Sequence, residues 1–294
     1  MTPILIIALS LLPLLILAPA VIGFNWWLDR QPRRDPLTTD LRRLPGNSLE
    51  TRLEKQREKM LDLMIWALAT GFVAALMILT KRLQQNGIDW QTHDTIYLLI
   101  GLSVSAILTW RMVRQMPELR KMKQGIRAEQ AAAQELAEVL AGKNRIIHDV
   151  QAKDFNIDHV VITPGGIFAV ETKSRLKPPA GQGSEAVKVI YDGKCLKFPG
   201  WTETAPIEQA RRQADWLARH LQAETGERLP VFPVLALPGW FVENAARITD
   251  EMVRVINPKN SGWLFVKRAA ILDDAALQRA ITAVGKLAAE PAKD

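Results

Sequence analysis

No charged side chain occurs between Met1 and Leu28. A run of that length exceeds the roughly 20 apolar residues an α-helix needs to cross a bilayer. It closes on Phe24, Trp26 and Trp27, followed by Asp29 and Arg30, the pattern of an interfacial anchor. A cleaved signal peptide would carry Lys or Arg in front and a shorter apolar core. Pro13 and Pro19 each withhold an N–H from the helical ladder and are candidate kinks. Two more apolar runs follow, Leu63 to Thr80 and Thr95 to Trp110. The second of these extends through Met112 and Val113 if Arg111 snorkels to the headgroups. Three spans are therefore expected, at about 3–28, 63–80 and 95–113, in a membrane segment 1–116 whose first partner is the lipid bilayer. A buried helical hairpin in a soluble domain competes for the later two runs. Trp90 and Trp110 at their borders speak for the membrane.

Loop charge orients the spans. The loop 29–60 carries nine Lys/Arg, the loop after the second span only Lys81 and Arg82, and the exit from the third span five. Positive loops stay inside. The N-terminus is thus expected outside, and the C-terminal domain in the cytoplasm beneath a bacterial-type inner membrane. The same location explains the net charge of +7. From Ile126 onward there are 22 basic and 21 acidic residues, so the excess flanks the membrane and is not in itself a sign of nucleic-acid binding. A single cysteine, Cys195, allows no intramolecular disulfide, as suits a reducing compartment.

Residues 117–294 form the expected soluble domain. Pro117 should end the third span's extension, and Glu118 to Ala141 reads as a helix stopped by Gly142. Strands are expected at Arg145–Val150, Ile157–Ile162 and Ile167–Thr172. Val187–Tyr191 and Cys195–Phe198 flank Asp192-Gly193, a type I′ hairpin signal. A helix from Thr204 to about Glu224 carries Pro206 in its first turn. Strands at Val231–Leu237 and Met252–Ile256 and a helix at Asp274–Ala288 complete the order. The fold class is α/β, a mixed sheet flanked by helices and preceded by the all-α membrane segment.

The chemistry concentrates between Asn156 and Lys173. Pro164-Gly165 is a turn between two β-rich runs, and centring it there pairs Thr163 with Gly166 and Ile162 with Ile167. The same register sets Asp158 opposite Glu171, and alternation puts Glu171 and Lys173 on one face. Two carboxylates so placed repel each other. A divalent cation would compensate, and oxygen-only ligation suits Mg²⁺ or Mn²⁺. Such an ion polarises a phosphodiester while a neighbouring lysine balances phosphate charge. The same pattern also arises as a solvated surface network of ion pairs. Gln209, Gln213 and Trp216 share one face of the later helix, and Arg175, Arg211 and Arg212 are candidate contacts for nucleic acid. The four histidines are scattered, so a zinc site of ordinary spacing is absent, and there is no G-x-S-x-G or P-loop.

The run NIDHVVITPGGIFAVETKS resembles the signature of the nuclease-related domain family, a branch of the PD-(D/E)xK phosphodiesterases. The similarity covers about Gly125 to Ile256 and includes GIRAEQ, with Glu129, and APIEQARRQ, with Gln209. The resemblance implies a restriction-endonuclease-like fold. It also implies Asp158 and Glu171 as metal ligands, Lys173 as the catalytic lysine, and Glu129 and Gln209 as supporting site residues. Ala205 stands where the family often has Asn, and Ser-Arg-Leu-Lys-Pro-Pro replaces its usual glycine-containing turn after the lysine. The expected activity is Mg²⁺-dependent hydrolysis of cytoplasmic DNA or RNA. The alternative is a non-catalytic nucleic-acid-binding or signalling module that retains the fold.

Overall fold

The computed structural model describes residue 23 and residues 43–85, 92–138, 142–179 and 184–289. The expected first span lies outside the described residues, apart from Gly23. Two helices follow, α1 (Asn47–Gln85) and α2 (Thr92–Ala137). Each is long and apolar enough to cross a membrane, with mean hydropathy 2.2 and 1.7 in its most apolar stretch. Leu61, Ile65, Trp66, Leu68, Phe72, Leu99 and Leu102 are exposed on them. The two helices meet through small residues. A Cβ on Gly101 would come 2.7 Å from the Cβ of Ala74, and Ser105 Oγ donates to the Ala67 carbonyl at 2.8 Å. Pro117 lies inside α2 and does not end it, contrary to the sequence reading. Its cost of about 3 kcal/mol falls on one position of a 46-residue helix and is outweighed by the bonds around it.

The chain divides into two compact units, one containing Glu54–Leu119 and the other Asp40–Leu53 with Arg120–Asp294. The expected boundary at 116/117 assigned 43–53 to the membrane part. They pack instead with the α/β unit.

That unit holds two sheets where one was expected. The larger has the order β1 (Arg145–Gln151), β2 (Asn156–Thr163), β3 (Gly166–Thr172), β7 (Val231–Ala236), β9 (Arg254–Ile256). Its first three strands are antiparallel, and β3, β7 and β9 are parallel. Every residue of β3 is buried, as befits a strand covered on both faces. On one face Val160, Ile162, Ile167 and Ala169 pack against α3 (Ala205–Thr225) and α5 (Asp274–Ala289) through Leu217, Leu221, Leu277 and Val284. On the other, Val161, Phe168 and Val170 meet Leu136 of α2 and Leu264 and Phe265 of the short helix α4 (Trp263–Val266). The smaller sheet runs β6 (Trp201–Glu203), β5 (Leu196–Phe198), β4 (Lys188–Tyr191), β8 (Phe241–Asn244) around Tyr191, Phe198 and Trp240.

The β2–β3 turn follows the sequence. Thr163 pairs with Gly166 and Ile162 with Ile167, and the ladder continues to His159 with Val170. Gly166 has φ 131°, and a Cβ there would come 2.6 Å from the Phe232 ring, so glycine is required twice over. The β4–β5 turn differs from the expected type I′. Asp192 pairs with Cys195, and of the two central residues only Gly193 has positive φ, 89°. The Asp192 carboxylate accepts from Lys194 N and Cys195 N, and this Asx arrangement carries the turn. Helix α3 opens with Pro206 in its first turn and ends at Gly226, φ 75°, whose N–H donates to the Gln222 carbonyl.

Candidate functional site

His148, His159 and Val170 form the last paired row across β1, β2 and β3. The next residue along each strand is acidic: Asp149, Asp158 and Glu171. Apolar residues dominate the rows behind them, so the strand ends present a line of carboxylates against a dry core. A fourth carboxylate, Glu129, reaches the same place from α2. Relative exposures are 6% for Glu129, 6% for Asp158 and 3% for Glu171. These side chains, with Lys173 and Gln209, line a cavity of about 700 Å³.

Hydrogen bonds fix the floor. Asp158 Oδ2 accepts from the Thr172 N–H at 2.7 Å, which ties β2 to the end of β3. Glu171 Oε1 accepts from Lys173 Nζ at 2.5 Å and from Gln209 Nε2 at 2.8 Å. Glu171 Oε2 accepts from Gln213 Nε2 at 2.5 Å, and the same amide donates to the Asn156 carbonyl at 3.0 Å. Asp149 is fully buried at φ 49°, a left-handed conformation tolerated by short polar side chains. Its carboxylate accepts from Arg43 Nη1 at 2.7 Å, from Ser48 Oγ at 2.7 and 2.9 Å, and from Asn156 Nδ2 at 2.8 Å.

Burial raises the pKa of two of these acids. Desolvation, then the charges of Glu171 and Glu129, pushes Asp158 well above its ordinary value, against the Thr172 N–H and Lys173. Desolvation, then Asp149 and Glu171, pushes Glu129 to about 7, while Lys173 and the Gly46 N–H pull it down. Glu129 Oε2 is buried with no hydrogen-bond partner. A buried oxygen left unpaired beside other acids is costly, and a cation would remove that cost. The donor chemistry, carboxylate oxygen throughout, fits a hard divalent ion. Among the described residues no three His, Cys, Asp or Glu side chains already form a cage, and both Glu171 oxygens are engaged by Lys173 and the two amides.

The sequence-derived candidates divide accordingly. Glu129, Asp158, Glu171, Lys173 and Gln209 converge. Arg175 borders the cavity, but Glu203 holds its guanidinium through two bonds of 2.8 and 2.9 Å. Arg212 borders a separate depression with Gln209 and Gln213. Arg211 does not join the site; two residues from Gln209, it lies on another face of α3, where its charge acts on Tyr191. His159 is fully buried and bonds His148, ring nitrogen to ring nitrogen, at 2.9 Å, a packing role. Trp201 stacks on Phe198 with centroids 4.6 Å apart at the cavity rim. Asp149, Asn156 and Ser48 escaped the sequence reading. The one available signal was an acid standing next to the His148–His159 row.

The strand ends of the α/β domain thus gather buried carboxylates, a lysine and two amides beside an open cavity. Residues 124–238 match the family model of the nuclease-related domain, somewhat short of the 125–256 suggested by resemblance. No curated protein and no solved structure matches the chain.

Proposed function

We propose that the chain is a membrane-anchored, Mg²⁺- or Mn²⁺-dependent phosphodiesterase of the PD-(D/E)xK type, with a restriction-endonuclease-like fold, acting on cytoplasmic DNA or RNA. The observation that carries this reading is the burial of Glu129, Asp158 and Glu171 around one cavity with an unpartnered oxygen on Glu129. Asp158 and Glu171 would hold the ion, with Glu129 adjacent. The ion supplies a Lewis acid and a bound water of lowered pKa. Lys173 orients Glu171 and carries positive charge toward a phosphate in the cavity. Gln209 and Gln213 hold the Glu171 carboxylate in one rotamer, so its position does not relax when charge changes beside it.

Membrane attachment rests on α1, α2 and the uncharged run 1–28. Loop charge favours an external N-terminus and a cytoplasmic C-terminal domain. A reporter fused after residue 294 should be cytoplasmic and one in the 81–94 loop external. External protease that removes the C-terminal domain from intact cells would sink this assignment.

One observation favours a second reading, a non-catalytic nucleic-acid-binding or signalling module. Glu171 already has both oxygens occupied by protein donors. Titrating detergent-purified protein with Mg²⁺ and Mn²⁺ against DNA and RNA decides between them. Cleavage lost in Lys173→Ala, with the metal-induced thermal shift retained, supports the enzyme. Neither shift nor cleavage in the parent establishes the module.

A further inference from the structure

The first turns of α1 are built into the wall of the site, and the turn ahead of them anchors the chain. Gly46, at φ 82°, turns the chain, and its backbone N–H lowers the pKa of Glu129. Arg43 and Ser48 clasp Asp149. Leu49 lies so near Gly125 that a Cβ there would stand 2.9 Å from its Cδ1, and Leu53 is buried. One helical turn beyond Ser48, Arg52 occupies the same face of α1 and lines the same cavity as Asp158, Glu171 and Lys173. Lys121 lines it from α2. Both cationic side chains are exposed, and neither has an ion-pair or hydrogen-bond partner among the described residues. Arg175, by contrast, is engaged by Glu203.

An acidic floor repels an anion, so a site that takes a polyanion needs uncommitted positive charge on its rim. Arg52 and Lys121 provide it, and both lie outside residues 124–238. We infer that Arg52 and Lys121 are phosphate-binding residues that hold the backbone of a nucleic-acid strand over the cavity. The substrate wall is thereby completed from outside the family-matched domain. This deepens the phosphodiesterase reading and rests on it. Anionic lipid headgroups offer similar chemistry. Sharing one cavity with Lys173 and the carboxylates assigns the two cations to the strand.

The test uses the full chain in detergent and EDTA, with a short fluorescein-labelled single-stranded DNA or the matching RNA, read by anisotropy at several salt concentrations. Arg52→Ala and Lys121→Ala should each raise Kd roughly three- to tenfold and lower the log–log salt slope by about one. Lys194→Ala, an exposed cation in the β4–β5 turn, should change neither. Thermal midpoints should stay at the parent's. Effects no larger than those of Lys194→Ala overturn the inference. So does unchanged strand binding together with loss of the stabilisation given by phosphatidylglycerol added to the micelles, which would make the two residues lipid contacts. A parent that binds neither strand also overturns it. Cleavage in Mg²⁺ or Mn²⁺ judges the other reading separately. Strand binding through Arg52 and Lys121 without any cleavage would leave this inference standing and remove the enzyme.

Discussion

Glu129→Gln should make the metal-free protein more stable above pH 7. The ordinary glutamate value is 4.5, and burial beside Asp149 and Glu171 raises it to about 7. The folded state therefore holds a proton that the unfolded state has released, so stability from this group is present below 4.5 and is lost as pH rises to 7. The gap corresponds to about 3 kcal/mol. Two histidines act in the opposite sense. Burial lowers His148, and burial followed by the charge of His148 lowers His159 to about 3. Their contribution is complete above 6.5 and is lost as pH falls. In the parent the two trends offset each other between 4.5 and 6.5, so the parent's own pH profile says little. The difference between Glu129→Gln and parent reports the Glu129 carboxylate together with the relief of its charge on Asp158. The amide nearly matches the carboxyl in shape and carries no charge at any pH. Hydrogen exchange of the β2 and β3 amides in EDTA, corrected for intrinsic rate, reads the opening free energy within the full chain. The variant should gain up to about 3 kcal/mol at pH 8 and nothing near pH 4. A variant no more stable than parent at pH 8, or equally changed at both pH values, refutes the account of Glu129.

Further outcomes follow from the same contacts. Asp158→Asn and Glu171→Gln should keep the fold yet lose the Mg²⁺-induced rise in thermal midpoint that binding to the folded state gives. A rise preserved in both removes them as ligands. Gln213→Leu leaves Glu171 Oε2 and the Asn156 carbonyl without their shared donor and should cost about 1–3 kcal/mol by denaturant titration; a change within error would show that water replaces the amide. Asp149→Ala removes the carboxylate that the buried Arg43 guanidinium and Ser48 share and should cost about 3–5 kcal/mol, with early proteolysis between 43 and 53. Unchanged protease resistance there would mean the clasp is dispensable.

The β2–β3 hairpin was legible because Pro164-Gly165 centres the turn and strand alternation does the rest. One register carried Asp158, Glu171 and Lys173 to the same place. Gln209 needed the resemblance, since a polar residue on an amphipathic helix is ordinarily solvated. The second sheet was only half visible: the Asp192-Gly193 turn marks β4 and β5, whereas β6 and β8, with three and four residues, are too short to show a period. Pro117 misled because a local helix breaker was weighed without the long helix around it. Arg211 misled because clustering in sequence is not clustering on a helix face. The Asp149 clasp was out of reach: nothing near residue 149 points to residue 43.

That clasp orders events during synthesis. Arg43 and Asp149 are 106 residues apart, and the interval contains both apolar helices. At the usual pace of translation, Arg43 waits about 5–20 s for its partner. By then α1 and α2 have left the ribosome and found their surroundings. Wall and floor meet only after that, so a chain stalled or cut between Arg43 and Asp149 never carries both.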